Sequence, residues 1–379
     1  MPAAAGFPFS GTGFCMFAGV LRVAVVDDSA LYRRMILNVL GMISGVEVVG
    51  TASNGFEAVE LIAQAKPDAV TLDVQMPGMD GIEVLKALKQ RGLTPRVIMV
   101  SSLTAEGAPT TVTALMEGAF DFILKPAGVD THVSREAIHR ELAGKLVAVR
   151  ESMVGLPPAA RPMPAPPVAR PAVARPAMPR RYDAIVIGTS TGGPQALRSV
   201  IPLFSTALDV PVLVVQHIPA QFTGSLAERL NGMSWMRVVE AADGMAIEPG
   251  HVYIAPGDRH LGVERREGEM VGVLDDSPRR RGCRPSVDHL LESAARAYEG
   301  RVLAAVLTGM GCDGLEGCRA LKQAGGGVMA QSADTCVVYG MPKAVIDAGL
   351  ADEIVPLDQV ATRLEERLRK ELPAPSTKP

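Results

Sequence analysis

Periodic patterning begins at Leu21. From there, short apolar runs (LRVAVVDD, VEVVGTAS, PDAVTLDV, PRVIMVSS, AFDFILKP) alternate with stretches whose apolar residues recur every three or four positions: ALYRRMILNVL, GFEAVELIAQA, GIEVLKALKQR, TVTALMEG and a last helix from about Ser134. The runs have strand length and the stretches have helix spacing, which predicts five β-α units. Strands that are apolar throughout, interleaved with amphipathic helices, belong in a doubly wound parallel sheet, whose sites lie outside the strands' carboxyl ends. The same alternation returns at YDAIVIG, VPVLVVQH, HVYIAPG, RVLAAVLTG and GGVMAQ, predicting a second α/β sheet. No repeat of solenoid period is present.

Between the two patterns, Pro157, Pro158, Pro162, Pro164, Pro166, Pro167, Pro171, Pro176 and Pro179 alternate with Ala, Val and Arg. Proline removes backbone donors and fixes φ, so an extended spacer is expected there. The expected organisation is a disordered extension at 1–20, a first domain at 21–145, a Pro/Ala/Arg-rich linker at 146–181, a second domain at 182–370 and a tail at 371–379. The total of 379 residues agrees with two domains. With 47% hydrophobic and 21% charged residues the chain buries enough apolar surface to fold. Its 38 basic and 41 acidic residues leave a net charge of −3, which supplies no general attraction to nucleic acid or anionic membrane. No apolar run is long enough to span a bilayer and no basic residue precedes Arg22, so a cytoplasmic protein without membrane insertion is expected. Five cysteines without a C-x-x-C pair argue against disulfides and a zinc knuckle.

Asp27 and Asp28 end the first predicted strand and Asp73 the third, which brings three carboxylates to one sheet edge. Hard oxygen donors of this kind suit Mg²⁺, which would carry a phosphoryl donor to one of them. Ser101 and Lys125 end two further strands and offer a hydroxyl and an ammonium to the transferred group. A single strand-end Asp is usually a turn or cap residue, but five such residues at strand ends make a pattern. VDDS, LDVQMPGMDG, VSS and KP, in this order, resemble the response-regulator receiver domain. That resemblance implies Asp73 as phosphoacceptor, Asp27, Asp28, Asp73 and the Gln75 backbone carbonyl on Mg²⁺, Ser101 and Lys125 on the phosphoryl group, and Phe122 at the aromatic switch position.

In the second half, YDAIVIG leads into Gly188-Thr-Ser-Thr-Gly-Gly193 and Pro194, a good first helical residue. Such a turn either cradles phosphate on helix-end N–H groups or presents Ser190 as a nucleophile. The nucleotide reading lacks a Lys-Ser/Thr after the glycines and an acidic ribose ligand on the next strand. The nucleophile reading needs a base and an orienting acid. His217 ends VPVLVVQH and could take the serine proton, although a lone strand-end His is more often structural. Asp313, in the glycine loop after RVLAAVLTG, could orient His217, although Asp-Gly there is also an ordinary turn. The order Ser, His, Asp differs from the α/β-hydrolase order of Ser, acid, His.

With GTSTGG, VVQHIPAQFTGSLAERL, HVYIAPGDRHL, PSVDHLLESAA, LTGMGCDG and GMPKA in order behind a receiver, the chain resembles the chemotaxis protein-glutamate methylesterase (CheB) family over about residues 21–365. The fold class implied is α/β: two doubly wound parallel-sheet domains, a flavodoxin-like receiver and an α/β serine-hydrolase methylesterase domain, joined by the Pro-rich linker. The resemblance implies Ser190 as nucleophile, His217 as base, Asp313 as its orienter and the Met310 backbone N–H as oxyanion donor. It further implies demethylation of receptor glutamyl esters with release of methanol, deamidation of receptor glutamines, and no cofactor beyond the receiver's Mg²⁺. The implied partners are methyl-accepting chemotaxis receptors and a chemotaxis histidine kinase, with a monomer expected. Thr189 stands where Ala is common in the family and Cys312 where Asn or Arg is common. The rival reading is a receiver-gated docking module without turnover. A DNA-binding output is disfavoured by α/β alternation and the absence of a helix-turn-helix pattern.

Overall fold

Buried apolar strands and capped amphipathic helices build both halves of the chain. The structure, a computed structural model, describes residues 19–102, 107–126, 131–153, 181–205 and 208–369. In the first half the elements are β1 (Leu21–Val26), α1 (Ala30–Gly41), β2 (Val46–Ala52), α2 (Gly55–Ala65), β3 (Ala69–Asp73), α3 (Gly81–Gln90), β4 (Arg96–Ser102), α4 (Ala108–Met116), β5 (Asp121–Lys125) and α5 (Thr131–Met153). The strands form one parallel sheet in the order β2-β1-β3-β4-β5. Both faces of β1 and β3 are covered by helices, which is why LRVAVV and AVTLD read as apolar runs without alternation. The helix starts are written locally. Asn54 accepts the Glu57 N–H at 3.0 Å, and Asp80 and Glu83 form a reciprocal capping box at the start of α3.

The first domain extends beyond its expected end. α5 continues through Met153, past the boundary placed at residue 145, because Leu146, Ala148 and Val149 are buried in the core on that side of the sheet. Residues 146–153 therefore belong to the first domain. The expected extension through residue 18, the linker from 154 to 180 and the tail at 371–379 lie outside the described residues.

The second half comprises β6 (Ala184–Thr189), α6 (Gly193–Val200), β7 (Val212–Gln216), α7 (Ala220–Asn231), β8 (Arg237–Glu240), β9 (His251–Ile254), β10 (His260–Arg266), β11 (Glu269–Asp275), α8 (Val287–Ala297), β12 (Val302–Val306), α9 (Leu315–Gln323), β13 (Gly327–Gln331), α10 (Met341–Asp347), β14 (Glu353–Val355) and α11 (Val360–Arg369). Seven strands form a parallel sheet in the order β14-β13-β12-β6-β7-β9-β8. The five strands read from the sequence are all present. Two short edge strands, β8 and β14, and the antiparallel hairpin β10-β11 were not read. The hairpin's outer half, Glu264 to Glu269, is charged and solvated, so it carries no apolar run.

The chain leaves β6 toward β7 on one side and returns to β12 on the other, so the strand order reverses at β6. Their carboxyl ends therefore flank a topological switch point, where such sheets bind ligands. The two domains also touch. α4 packs against α6 and α7, and one apolar cluster runs from Ala108, Val112 and Leu115 to Ile218 and Phe222. Phe122 meets Phe222 edge-on, with ring centroids 4.9 Å apart.

Candidate active site

Ser190 follows β6 directly, and its N–H donates to the Thr308 carbonyl beyond β12 at 3.0 Å, which anchors the turn to the neighbouring strand. The turn closes when Gly193 N–H donates back to the Ser190 carbonyl at 2.8 Å. Gly192 sits at φ +78°, where a side chain is strained, and a Cβ on Gly193 would overlap Gln216 Oε1. The glycines thus let Gln216 reach over the loop. Its amide donates to the Ser190 carbonyl at 3.0 Å and the His217 carbonyl at 3.1 Å, and its Oε1 accepts from Thr189 at 2.7 Å. Threonine at 189 therefore ties the ends of β6 and β7 together.

His217 and Asp313 meet across these strand ends, with His217 Nε2 2.8 Å from Asp313 Oδ2. Asp313 is almost wholly buried, yet both oxygens are fully engaged. Oδ2 also accepts the Val287 N–H at 2.7 Å, while Oδ1 accepts Ser286 Oγ at 2.8 Å, Asp288 N–H at 3.1 Å and Gly314 N–H at 3.0 Å. Three of these donors lie at the N-terminus of α8, whose dipole favours an anion. Burial works against the charge, but the hydrogen bonds from His217, Val287 and Asp288 hold the carboxyl below its ordinary range. For His217 burial likewise opposes the charge, but bonding to Asp313 and to Cys283 pushes it up to about 9. A charged Asp313 can only accept, so Nε2 of His217 carries a hydrogen in either protonation state, and Nδ1 holds the lone pair whenever the ring is neutral. That nitrogen faces the thiol of Cys283, with Sγ 3.7 Å away.

Ser190 and His217 thus follow β6 and β7 directly, and Asp313 lies in the loop beyond β12, the strand adjacent to β6. The Ser190 hydroxyl has no hydrogen-bond partner among the described residues. Met310 lies in the loop after β12 with a partly exposed side chain, and its N–H likewise has no acceptor among the described residues. The neighbouring Gly309 approaches so closely that a Cβ there would lie 2.7 Å from Ser190 Cβ. Three consecutive arginines in the loop before α8 are paired: Arg279 with Asp258, Arg280 with Glu292, and Arg281 with Asp288 at 3.4 Å. His260 is buried and stacks on His289, apart from the three strand ends.

In the first domain, single oxygens of Asp27, Asp28 and Asp73 lie within 4.8 Å of one another. Lys125 Nζ reaches Asp73 at 2.7 Å and Asp27 at 3.0 Å. Burial raises the Asp73 carboxyl to about 6 despite Lys125, and raises that of Asp27 as well. Asp27 Oδ2 is buried, with the Lys125 ammonium as its charged partner. An all-oxygen set of three clustered carboxylates, of which Lys125 pairs with only two, fits Mg²⁺. The Gln75 N–H donates to Asp73 Oδ1 at 3.3 Å. Ser101 is buried and shares a 2.7 Å hydrogen bond with Thr111 of α4.

The family model for the response regulator receiver domain matches residues 23–135, and that for CheB methylesterase matches residues 185–364. A protein-glutamate methylesterase/protein-glutamine glutaminase of Thermotoga maritima is 43% identical over 347 residues, covering 92% of this chain and 98% of that protein. The chain belongs to the CheB methylesterase family. A Geobacillus kaustophilus protein of the same name is 43% identical over 346 residues, covering 91% of this chain and 97% of that protein. The crystal structure of the Thermotoga maritima CheB methylesterase catalytic domain shares 45% identity, covering 49% of this chain and 98% of that one, with a TM-score of 0.48.

Several residues around this CheB site escaped the sequence reading. Ser286 caps α8 and carries a recognisable signal, a serine just before an amphipathic run with Asp288 in its first turn. Gln216 and Cys283 carry none, since only the folded chain brings them to the loop. The same holds for Thr191, beside Ser190, whose hydroxyl donates to Asp121 of the receiver at 2.6 Å.

Proposed function

We propose that this chain is a phosphorylation-controlled protein-glutamate methylesterase and protein-glutamine deamidase acting on chemotaxis receptors, with Ser190, His217 and Asp313 as its catalytic residues. The observation that carries the reading is the His217–Asp313 pair at the switch-point edge that also bears Ser190. Asp313 holds Nε2–H, so Nδ1 is the nitrogen able to take the serine proton. The Ser190 oxygen attacks the ester carbonyl, and the oxyanion is received by N–H groups near the loop, Met310 among them. The proton on His217 then passes to the leaving methoxide, and methanol departs. Water, deprotonated by His217, hydrolyses the acyl-enzyme to free glutamate; with glutamine the leaving group is ammonia. In substrate-free enzymes the nucleophile's hydrogen bond is often long or unformed, which accords with the unpartnered Ser190 hydroxyl.

Control comes from the receiver. Mg²⁺ held by Asp27, Asp28, Asp73 and the Gln75 carbonyl would neutralise charge during phosphorylation of Asp73 by a chemotaxis kinase. Lys125 and Ser101 receive the phosphoryl oxygens. To do so Ser101 turns from Thr111, and α4 is the helix packed on the catalytic domain. Phe122, edge-on to Phe222, lies in the same interface. The receiver thus covers the catalytic edge until phosphorylation reorganises that face. No helix among the described residues is long and apolar enough to cross a membrane.

The experiment is a methanol-release assay on methyl-labelled receptor, with and without a small-molecule phosphodonor. Wild type should turn over and accelerate with the phosphodonor, while Ser190→Ala should lose at least about a thousandfold. Stoichiometric receptor binding without methanol release would establish the docking-module reading instead.

A further inference from the structure

The Cys283 thiol next to His217 has no part in the reaction above, yet its position suits a second ligand chemistry. We infer that His217 Nδ1 and Cys283 Sγ form an inhibitory binding site for a borderline-soft divalent cation such as Zn²⁺. The two atoms stand 3.7 Å apart. A tetrahedral zinc ion, with bonds of about 2.0–2.1 Å to nitrogen and about 2.3 Å to sulfur, holds its two donors roughly 3.6 Å apart. The pair is thus already spaced for one ion without backbone movement.

The surroundings match as well. A metal-bound histidine usually donates its other ring N–H to a carboxylate, which fixes the tautomer and aims the free nitrogen at the metal. Asp313 does this on Nε2 at 2.8 Å, and one of its oxygens lies within 4.8 Å of the other two donor atoms. With five hydrogen bonds already made, Asp313 acts as the orienting group, and the remaining coordination positions fall to solvent. Both ligands are partly exposed, so an ion can enter. The nearby cations do not oppose it, because Arg280 is paired with Glu292, and Arg281 with Asp288 and Glu316. Imidazole with thiolate selects zinc over magnesium, whereas the all-oxygen cluster at Asp27, Asp28 and Asp73 has the opposite preference.

A metal at this place occupies the lone pair that must accept the Ser190 proton, so turnover stops until it leaves. That consequence rests on His217 being the base; the site itself does not. Two readouts separate the claims. Co²⁺ added to the full chain should produce a near-ultraviolet thiolate-to-cobalt charge-transfer band, lost in Cys283→Ser and kept in Cys312→Ser. Zn²⁺ should inhibit methanol release reversibly, with recovery on chelation. Relative to each protein's own metal-free rate, Cys283→Ser should need at least about tenfold more Zn²⁺. Absence of the band in wild type, or its survival in Cys283→Ser, overturns the site. A Cys283-dependent band on an enzyme whose turnover zinc leaves unchanged keeps the metal site but overturns its inhibitory role, and with it the assignment of His217 as the base.

Discussion

Replacing Asp313 with asparagine tests the core of the catalytic reading, because the two side chains have the same shape and differ in which atoms accept. An asparagine oxygen can occupy only one of the two carboxylate positions. At the Oδ1 position it satisfies Ser286 Oγ, Asp288 N–H and Gly314 N–H; at the Oδ2 position it satisfies only Val287 N–H and His217. Three donors outweigh two, so the NH₂ group turns toward Val287 and His217. Val287 N–H then faces another donor, and a buried unpaired donor costs about 1–3 kcal/mol of stability. Meanwhile Nε2 of His217 must accept, which moves the ring hydrogen to Nδ1 and removes the lone pair that serves as base. In the Ser-His-Asp template that tautomer error costs about 10⁴-fold in kcat, equivalent to about 5.5 kcal/mol of barrier. The assay is single-substrate methanol release under saturating phosphodonor, with circular dichroism and thermal melting on the same samples. A folded Asp313→Asn enzyme within tenfold of the wild-type rate would refute the argument that Asp313 sets the His217 tautomer.

Three further outcomes are expected. Because Asp313 and Cys283 raise the His217 pKa above its ordinary 6.5, toward about 9, the base is protonated at neutral pH; kcat/KM should rise with pH, in chelator, along an acid limb centred above 6.5. A limb at or below that value would contradict the pairing, and Cys283→Ala should shift it downward. Arg198 donates from α6 to the Met116 carbonyl at 2.7 Å and to Glu117 at 3.1 Å, so Arg198→Ala should loosen the receiver by about 1–2 kcal/mol. Basal methanol release should then climb roughly five- to thirtyfold, and an unchanged basal rate would sink the covering mechanism. Asp73→Asn should leave the full-length enzyme at its basal rate whatever phosphodonor is supplied, as checked by the same assay; acceleration by the phosphodonor would place the phosphoacceptor elsewhere.

Local pattern alone carried much of this. β1 and β3 are enclosed on both faces, so apart from Arg22, Thr71 and the terminal Asp73 their residues are apolar, and the chain announces such strands without reference to its neighbours. Ser190, His217 and Asp313 were legible for a related reason: parallel strands send every carboxyl end to the same edge, so strand-end chemistry converges wherever the strands are adjacent. Adjacency was what the residues left open. Only the observed order β12-β6-β7 makes the three ends neighbours. The remaining features depend on contacts between segments remote in sequence, for which no periodicity exists. The continuation of α5 to Met153 follows from packing of Leu146 and Val149, against the dilution of pattern by a nearby proline-rich stretch. The α8 N-terminus that charges Asp313, the thiol of Cys283 beside His217, and the meeting of Thr191 with Asp121 were decided by tertiary structure. In each, one side chain gains its role from a group brought beside it by folding, and a property of a pair cannot be read from either member alone.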